Sequence, residues 1–156
     1  MKTLLILVGK TTDKHFQAGI NDYVERISYY MPFELVTIPE LKNTKNLSEE
    51  QQKTAEGELI LKQLQPSDTV VLLDEHGHEF RSIELARWLE QKRNTARRLV
   101  FIIGGPYGFS PAVYARANEQ LSLSRLTFSH QMIRLVFTEQ IYRACTIIKG
   151  EPYHHE

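Results

Sequence analysis

An apolar run, Leu99-Val100-Phe101-Ile102-Ile103, leads straight into Gly104-Gly105-Pro106-Tyr107-Gly108. A strand that ends in glycines lets backbone come close to a ligand. The glycine spacing fits neither a dinucleotide fingerprint nor a phosphate-binding loop, and no Gly-Lys-Ser/Thr follows, so a tight turn without a ligand explains it as well. Downstream, His130 and Arg134 lie one helical turn apart, which would set a base or donor beside a guanidinium able to hold an anion. A capping or surface histidine is the competing reading. In Glu139-Gln140-Ile141-Tyr142-Arg143-Ala144, Tyr142 reads as a core residue, whereas Arg143 must find water, a carboxylate or a phosphate. The ending Pro152-Tyr153-His154-His155-Glu156 offers aromatic and imidazole groups suited to stacking on a base, against the alternative of an inert tail.

Other clusters point to less. His76-Gly77-His78 with Asp74 and Glu79 offers imidazoles and carboxylates, yet no second cluster with metal-ligand spacing completes it, and no metal is expected. The lone Cys145 has no disulfide partner in the chain and reads as a buried structural thiol. No Gly-x-Ser-x-Gly elbow supports a serine nucleophile.

Hydrophobic periodicity predicts the elements that must position these groups. Strands are expected at about 2–8, 33–39, 68–73, 98–103 and 121–124. Helices are expected at about 14–30, 48–64 and 82–94, in a short segment opened by Ser110-Pro111, and at 131–149. Ser48 with Gln51 reads as a capping box, Ser82 as the cap of the third helix, and Gly150 with Pro152 as the stop of the last. Strands alternating with helices imply an α/β fold with a mostly parallel open sheet covered on both faces, whose ligands bind beyond the C-terminal strand ends. Three such ends could converge there: Leu72-Leu73-Asp74, Gly104-Gly105 and the Leu123–Phe128 segment.

A chain of 156 residues, 42% hydrophobic and 24% charged, fits a single domain over 1–156. The net charge of zero argues against coating nucleic acid by bulk electrostatics. The balance is uneven, however. Residues 61–156 carry twelve bases against ten acids, and Arg125, Arg134, Arg143 and Lys149 fall among the segments that already look like a site. The apolar run Thr3–Val8 is too short for a signal-peptide core or a membrane span, so a cytoplasmic protein is expected.

Taken together, these blocks closely resemble the RlmH family, SPOUT-class enzymes that methylate N3 of a pseudouridine in 23S ribosomal RNA. The resemblance spans essentially the whole chain: Val8-Gly9, Met31-Pro32-Phe33-Glu34-Leu35, Leu72-Leu73-Asp74, Ile103-Gly104-Gly105-Pro106, Leu121-Ser122-Leu123-Ser124, His130, Arg134, Tyr142-Arg143-Ala144 and Pro152-Tyr153-His154. Tyr107 departs from it where some relatives carry an acid, and His155 beside His154 blurs the role of the tail.

The resemblance implies a C-terminal deep trefoil knot, a homodimer and action on the assembled 70S ribosome. It also implies S-adenosylmethionine held by Leu73, Gly104, Gly105, Leu123, Ser124, Arg125, Leu126, Thr127 and Phe128, and converted to S-adenosylhomocysteine. His154 is then the expected base or orienter and His130 the alternative. Arg134 and Arg143 would hold phosphate or developing charge, and Tyr153 would position the target, with Arg134, Arg143, Tyr153 and His154 contacting RNA. Two other readings stay open: a flavodoxin-like nucleotide- or phosphate-binding module, and a noncatalytic ribosome-associated factor.

Overall fold

The computed structural model describes residues 2–156. Five parallel strands, β1 (Lys2–Val8), β2 (Phe33–Ile38), β3 (Thr69–Glu79), β4 (Arg98–Ile103) and β5 (Glu119–Ser122), lie in the order β2-β1-β4-β3-β5. A flavodoxin-like sheet has the order 2-1-3-4-5. The interchange of β3 and β4 therefore sets this chain apart from that alternative.

Alternation along the central strands sorts their side chains to two faces. Leu5, Leu7, Val71, Leu99, Phe101 and Ile103 pack beneath α1 (Lys14–Ser28), α3 (Ser82–Thr95) and α5 (Met132–Ile148). Leu4, Ile6, Val70, Leu72, Val100 and Ile102 pack beneath α2 (Glu49–Lys62) and α4 (Pro111–Arg116). With both faces covered, the inner strands read as continuous apolar runs rather than alternating ones.

The local signals act largely as expected. Ser48 Oγ accepts the Gln51 N–H at 3.1 Å while Gln51 Oε1 accepts the Ser48 N–H at 2.9 Å, completing the capping box. Ser110 Oγ accepts the Val113 N–H at 3.3 Å ahead of Pro111. Ser82, expected as a cap, is instead the first residue of α3. Arg81 is the cap, and Glu84 Oε1 takes its N–H at 2.7 Å. Cys145 is buried as expected, and burial pushes its thiol up to about 11.

The largest departures lie in β3 and β5. β3 extends to Glu79, and β5 begins and ends two residues before its expected bounds. Leu121 pairs with both Leu73 and His78, so Asp74–Gly77 is thrown out of the ladder as a bulge. Periodicity reports alternation of burial, and a bulge interrupts it.

At the opposite end of the sheet, the Asp68 carboxylate is buried and receives Arg98 Nε at 2.8 Å, Arg98 Nη2 at 2.6 Å and the Gln65 N–H at 2.7 Å. Burial raises its pKa, but the Arg98 guanidinium and the Gln65 N–H outweigh that and hold it below the usual carboxylate range. Arg98→Ala should therefore lower the unfolding free energy by about 2–3 kcal/mol in urea titrations at neutral pH. Because the folded pKa is depressed, the wild-type advantage is present above the unfolded carboxylate pKa and lost as pH falls through the folded value. A difference that persisted unchanged into strong acid would rule the pair out as its source.

Candidate active site

A cavity of about 570 Å³ opens beyond the C-terminal ends of β3, β4 and β5, within the size range of small-molecule sites. The three strand ends singled out in the sequence converge there. Leu73, Gly104, Gly105, Leu123, Ser124, Leu126, Thr127 and Phe128 all line it, as does His130. Arg125 does not: its exposed side chain turns away, and its Nε donates to Glu79 Oε1 at 2.8 Å.

Local geometry explains the convergence. The turn after β4 is closed by a hydrogen bond from the Gly108 N–H to Gly105 O at 3.2 Å. A Cβ on Gly104 would stand 2.9 Å from the buried Phe109 ring, so backbone alone fits between that ring and the cavity. The bulge in β3 carries Asp74, Glu75 and His76 to the opposite wall. Two groups that sequence reasoning left unassigned meet on that wall: Asp74 Oδ2 accepts the Tyr114 hydroxyl, while Asp74 Oδ1 accepts the His76 N–H at 2.9 Å. Burial raises the Asp74 pKa, but those two donors outweigh it and keep the carboxylate ionised below its usual range. Burial and Asp74 together push Tyr114 up to about 12. Nothing in the periodicity of α4 pointed to Tyr114, because its partner comes from a strand 40 positions away.

The resulting electrostatics are selective. Asp74 and Glu75 line the cavity, whereas no lysine or arginine among the described residues does. A phosphate ligand would meet uncompensated negative charge, and a compact cation would meet a complementary wall. The chemistry of this lining fits a sulfonium-bearing methyl donor of the kind the sequence resemblance implies.

The histidine pair flanking Gly77 divides between neighbours. His76 Nδ1 lies 3.2 Å from Asp74 Oδ1, and the His78 ring meets Phe80 edge-on with centroids 4.3 Å apart. The described residues show no cluster of three or more His, Cys, Asp or Glu able to hold a metal ion.

Arg134 requires a correction. It is 0% exposed, and its Nη1 donates to Gly9 O at 2.9 Å and Thr11 Oγ1 at 3.0 Å while Nη2 donates to Val8 O at 2.7 Å. With Nη1 and Nη2 on the Val8 and Gly9 carbonyls and the Thr11 hydroxyl, and Nε buried without a partner, the guanidinium is enclosed in the interior and not open to RNA phosphate. Its role is to tie α5 to the strand end. His130 and Arg134 thus diverge, the first toward the cavity and the second into the interior.

The tail is docked rather than frayed. The Tyr30 hydroxyl donates to Glu151 Oε2 at 2.8 Å, and the Tyr153 ring packs on Tyr142 with centroids 4.8 Å apart. The Arg143 guanidinium lies 4.9 Å from the Tyr153 ring centre. Burial, followed by a hydrogen bond with Tyr23, pushes Tyr153 up to about 12. Arg143 Nη1 also contacts His154 Nδ1 at 3.0 Å, while its Nε and Nη2 donate to Glu139 Oε1 at 3.2 and 3.1 Å. Glu139, missed in the sequence, thereby fixes which edge of Arg143 faces the histidine. None of Glu139, Arg143, Tyr153 or His154 lines the cavity. Glu156 borders a second cavity of about 430 Å³ that shares Leu121, Ser122 and Leu123 with the first, so the tail lies across that wall.

The family described as "Predicted SPOUT methyltransferase" matches residues 1–154. A protein of Phocaeicola vulgatus is 64% identical over the full length of both chains, and one of Bacteroides fragilis is likewise 64% identical over both. A Christiangramia forsetii protein is 55% identical over 99% of each chain. All three bear the name ribosomal RNA large subunit methyltransferase H.

Proposed function

Because this chain belongs to the SPOUT methyltransferases, among the relatives named ribosomal RNA large subunit methyltransferase H, we propose that it transfers a methyl group from S-adenosylmethionine to N3 of a pseudouridine in 23S ribosomal RNA. The observation that carries the reading is the cavity itself, set at the strand ends, acidic and lined by no lysine or arginine among the described residues. Bound there, S-adenosylmethionine supplies an electrophilic methyl group on a cationic sulfur. The main chain at Leu73, Gly104, Gly105, Leu123, Ser124 and Leu126–Phe128 would hold the donor, and apolar side chains such as Ile103, Leu123 and Phe128 would exclude water. Alignment of acceptor nitrogen and methyl carbon then supplies most of the acceleration, with no covalent enzyme intermediate.

The sheet topology and the tail support two further parts of the proposal. From β5 at the sheet edge, the chain crosses the strand ends to reach β1, where Gln131 Nε2 donates to Lys10 O at 3.2 Å and Arg134 grips Val8 and Gly9. That crossing supports a trefoil-knotted threading of the C-terminal part. The docked tail lies across the Leu121–Leu123 wall from its own cavity, which supports a homodimer in which Arg143, Tyr153 and His154 complete the site of a second copy. With zero net charge, the enzyme relies on the assembled ribosome to present the target loop, in the cytoplasm, rather than on capturing free RNA.

Labelled methyl transfer to 70S ribosomes lacking the modification, with isolated large subunits and naked RNA in parallel, tests the proposal. Label at N3 of the pseudouridine, strongest on 70S ribosomes, is the expected result. Donor binding without transfer to any of the three would overturn the pseudouridine target and send the substrate search elsewhere.

A further inference from the structure

Three exposed apolar side chains gather around one opening. Tyr107, Tyr114 and Leu126 all line the cavity at the strand ends, whereas Ile103, Leu121 and Ser122, which form its floor, are buried. Exposed apolar groups collected at a cavity mouth mark a place where something docks. The three differ in what they leave free. Tyr114 is committed, with its hydroxyl on Asp74 Oδ2 and its ring edge-on to Phe109 at 5.7 Å between centroids. Leu126 is 75% exposed but offers no π face. Tyr107 is 43% exposed, and among the described residues its ring packs on no other aromatic ring and its hydroxyl has no hydrogen-bond partner. It occupies the third position of the Gly105–Gly108 turn, behind Pro106, whose ring fixes φ, and ahead of Gly108 at φ +81°. A side chain presented from a turn closed in this way loses little freedom on meeting a ligand.

We propose that Tyr107 is the stacking platform for the target base, holding it flat at the cavity mouth once it has left the RNA stack. This rests on the proposed transfer to pseudouridine and assigns one further residue of that reaction. The lining favours a base in two ways. Asp74 and Glu75 are balanced by no lysine or arginine there, so the phosphates stay outside and the planar, uncharged part of the nucleotide enters alone. A base drawn out of its stack loses the neighbours on both faces, and an aromatic ring restores one of them. Sheet order supplies the second wall. Tyr107 follows β4, Leu126 follows β5, and β3 lies between those strands, so the two residues stand on opposite sides of the β3 end. The buried floor beneath them is left to the methyl donor. Within the same copy the docked tail supplies no ring here, since Tyr153 lines no part of this cavity.

Substitutions of Tyr107 in the full-length protein, assayed by labelled methyl transfer to 70S ribosomes, test the assignment. Tyr107→Ala should lower kcat/KM about 10- to 100-fold. Donor affinity by calorimetry and Tm should both stay close to wild type, because an exposed turn side chain carries neither. Tyr107→Phe should restore most of the loss, whereas Tyr107→Leu, apolar but without a π face, should not. This second pair decides the matter even where alanine disturbs the turn. Leucine as active as phenylalanine would reduce the residue to an apolar cover and overturn stacking. Donor affinity weakened tenfold or more in Tyr107→Ala would place the ring on the methyl donor instead, and undiminished transfer in that variant would remove the residue from the reaction. Either result overturns the proposal. Wild-type enzyme that labels no pseudouridine is a separate outcome, which ends the functional reading and this assignment with it.

Discussion

Gly77→Ala should weaken S-adenosylmethionine binding at least about tenfold, ~1.4 kcal/mol, while leaving the chain folded. A Cβ at this position would stand 2.7 Å from Gln120 C and from Leu121 N, and 2.8 Å from Leu121 C. These are backbone atoms of β5, which cannot swing aside as the end of a flexible side chain can. Only glycine lets the bulge after Leu73 rejoin the ladder at His78 against the same Leu121 that Leu73 already faces. Adding a methyl group forces β5 away from β3 and moves Leu121–Leu123, which form part of the cavity wall at the strand ends. Overpacking of this kind costs about 1–3 kcal/mol, a fall in Tm of several degrees for a chain of this size. Calorimetric titration and thermal melting check both effects. Wild-type affinity in a variant with wild-type Tm would mean that β5 yields without moving the wall, and the role given to Gly77 would fall.

Arg134→Ala should cost about 3–5 kcal/mol of folding stability, the largest loss expected from any single side chain here. The substitution removes a fully buried guanidinium and strands the Val8 and Gly9 carbonyls and the Thr11 hydroxyl that it satisfies. Burial lowers the Arg134 pKa while the nearby Glu40 charge opposes that shift, as expected for a cation held by dipoles in the interior. Lysine should rescue only in part, because a single ammonium cannot span two carbonyls as the planar fork does. Urea titration measures the loss. Under conditions where the variant remains folded, KM for ribosomes should stay near the wild-type value. A stable variant with greatly weakened ribosome binding would return Arg134 to the RNA interface and overturn its structural assignment.

These two residues mark the limits of sequence reading from opposite sides. Gly77 sat in His76-Gly77-His78, where the histidines drew attention as ligands although the glycine carries the geometric constraint. Arg134 was noticed for its charge, and its charge does matter, but inside the protein. The expected strand at 98–103 coincides with β4, and the alternate residues of β1 and β4 pack on opposite faces. The capping box at Ser48 is also as read. Such features depend on neighbours a few positions apart, where side-chain period and local hydrogen bonding leave a direct trace.

By itself, the sequence determined the alternating α/β pattern, the glycine-rich end of β4, the convergence of three strand ends as a place to look, and the family the whole chain resembles. The tertiary structure alone decided the interchange of β3 and β4, the bulge that brings an ionised Asp74 to Tyr114, the burial of Arg134 and the docking of the tail. It also decided the contact of Arg143 with His154. The physical reason is range. Burial period and capping are properties of a short segment, whereas the partner of a charged or polar group is set by where the chain returns, and Arg134 meets Gly9 from 125 positions away.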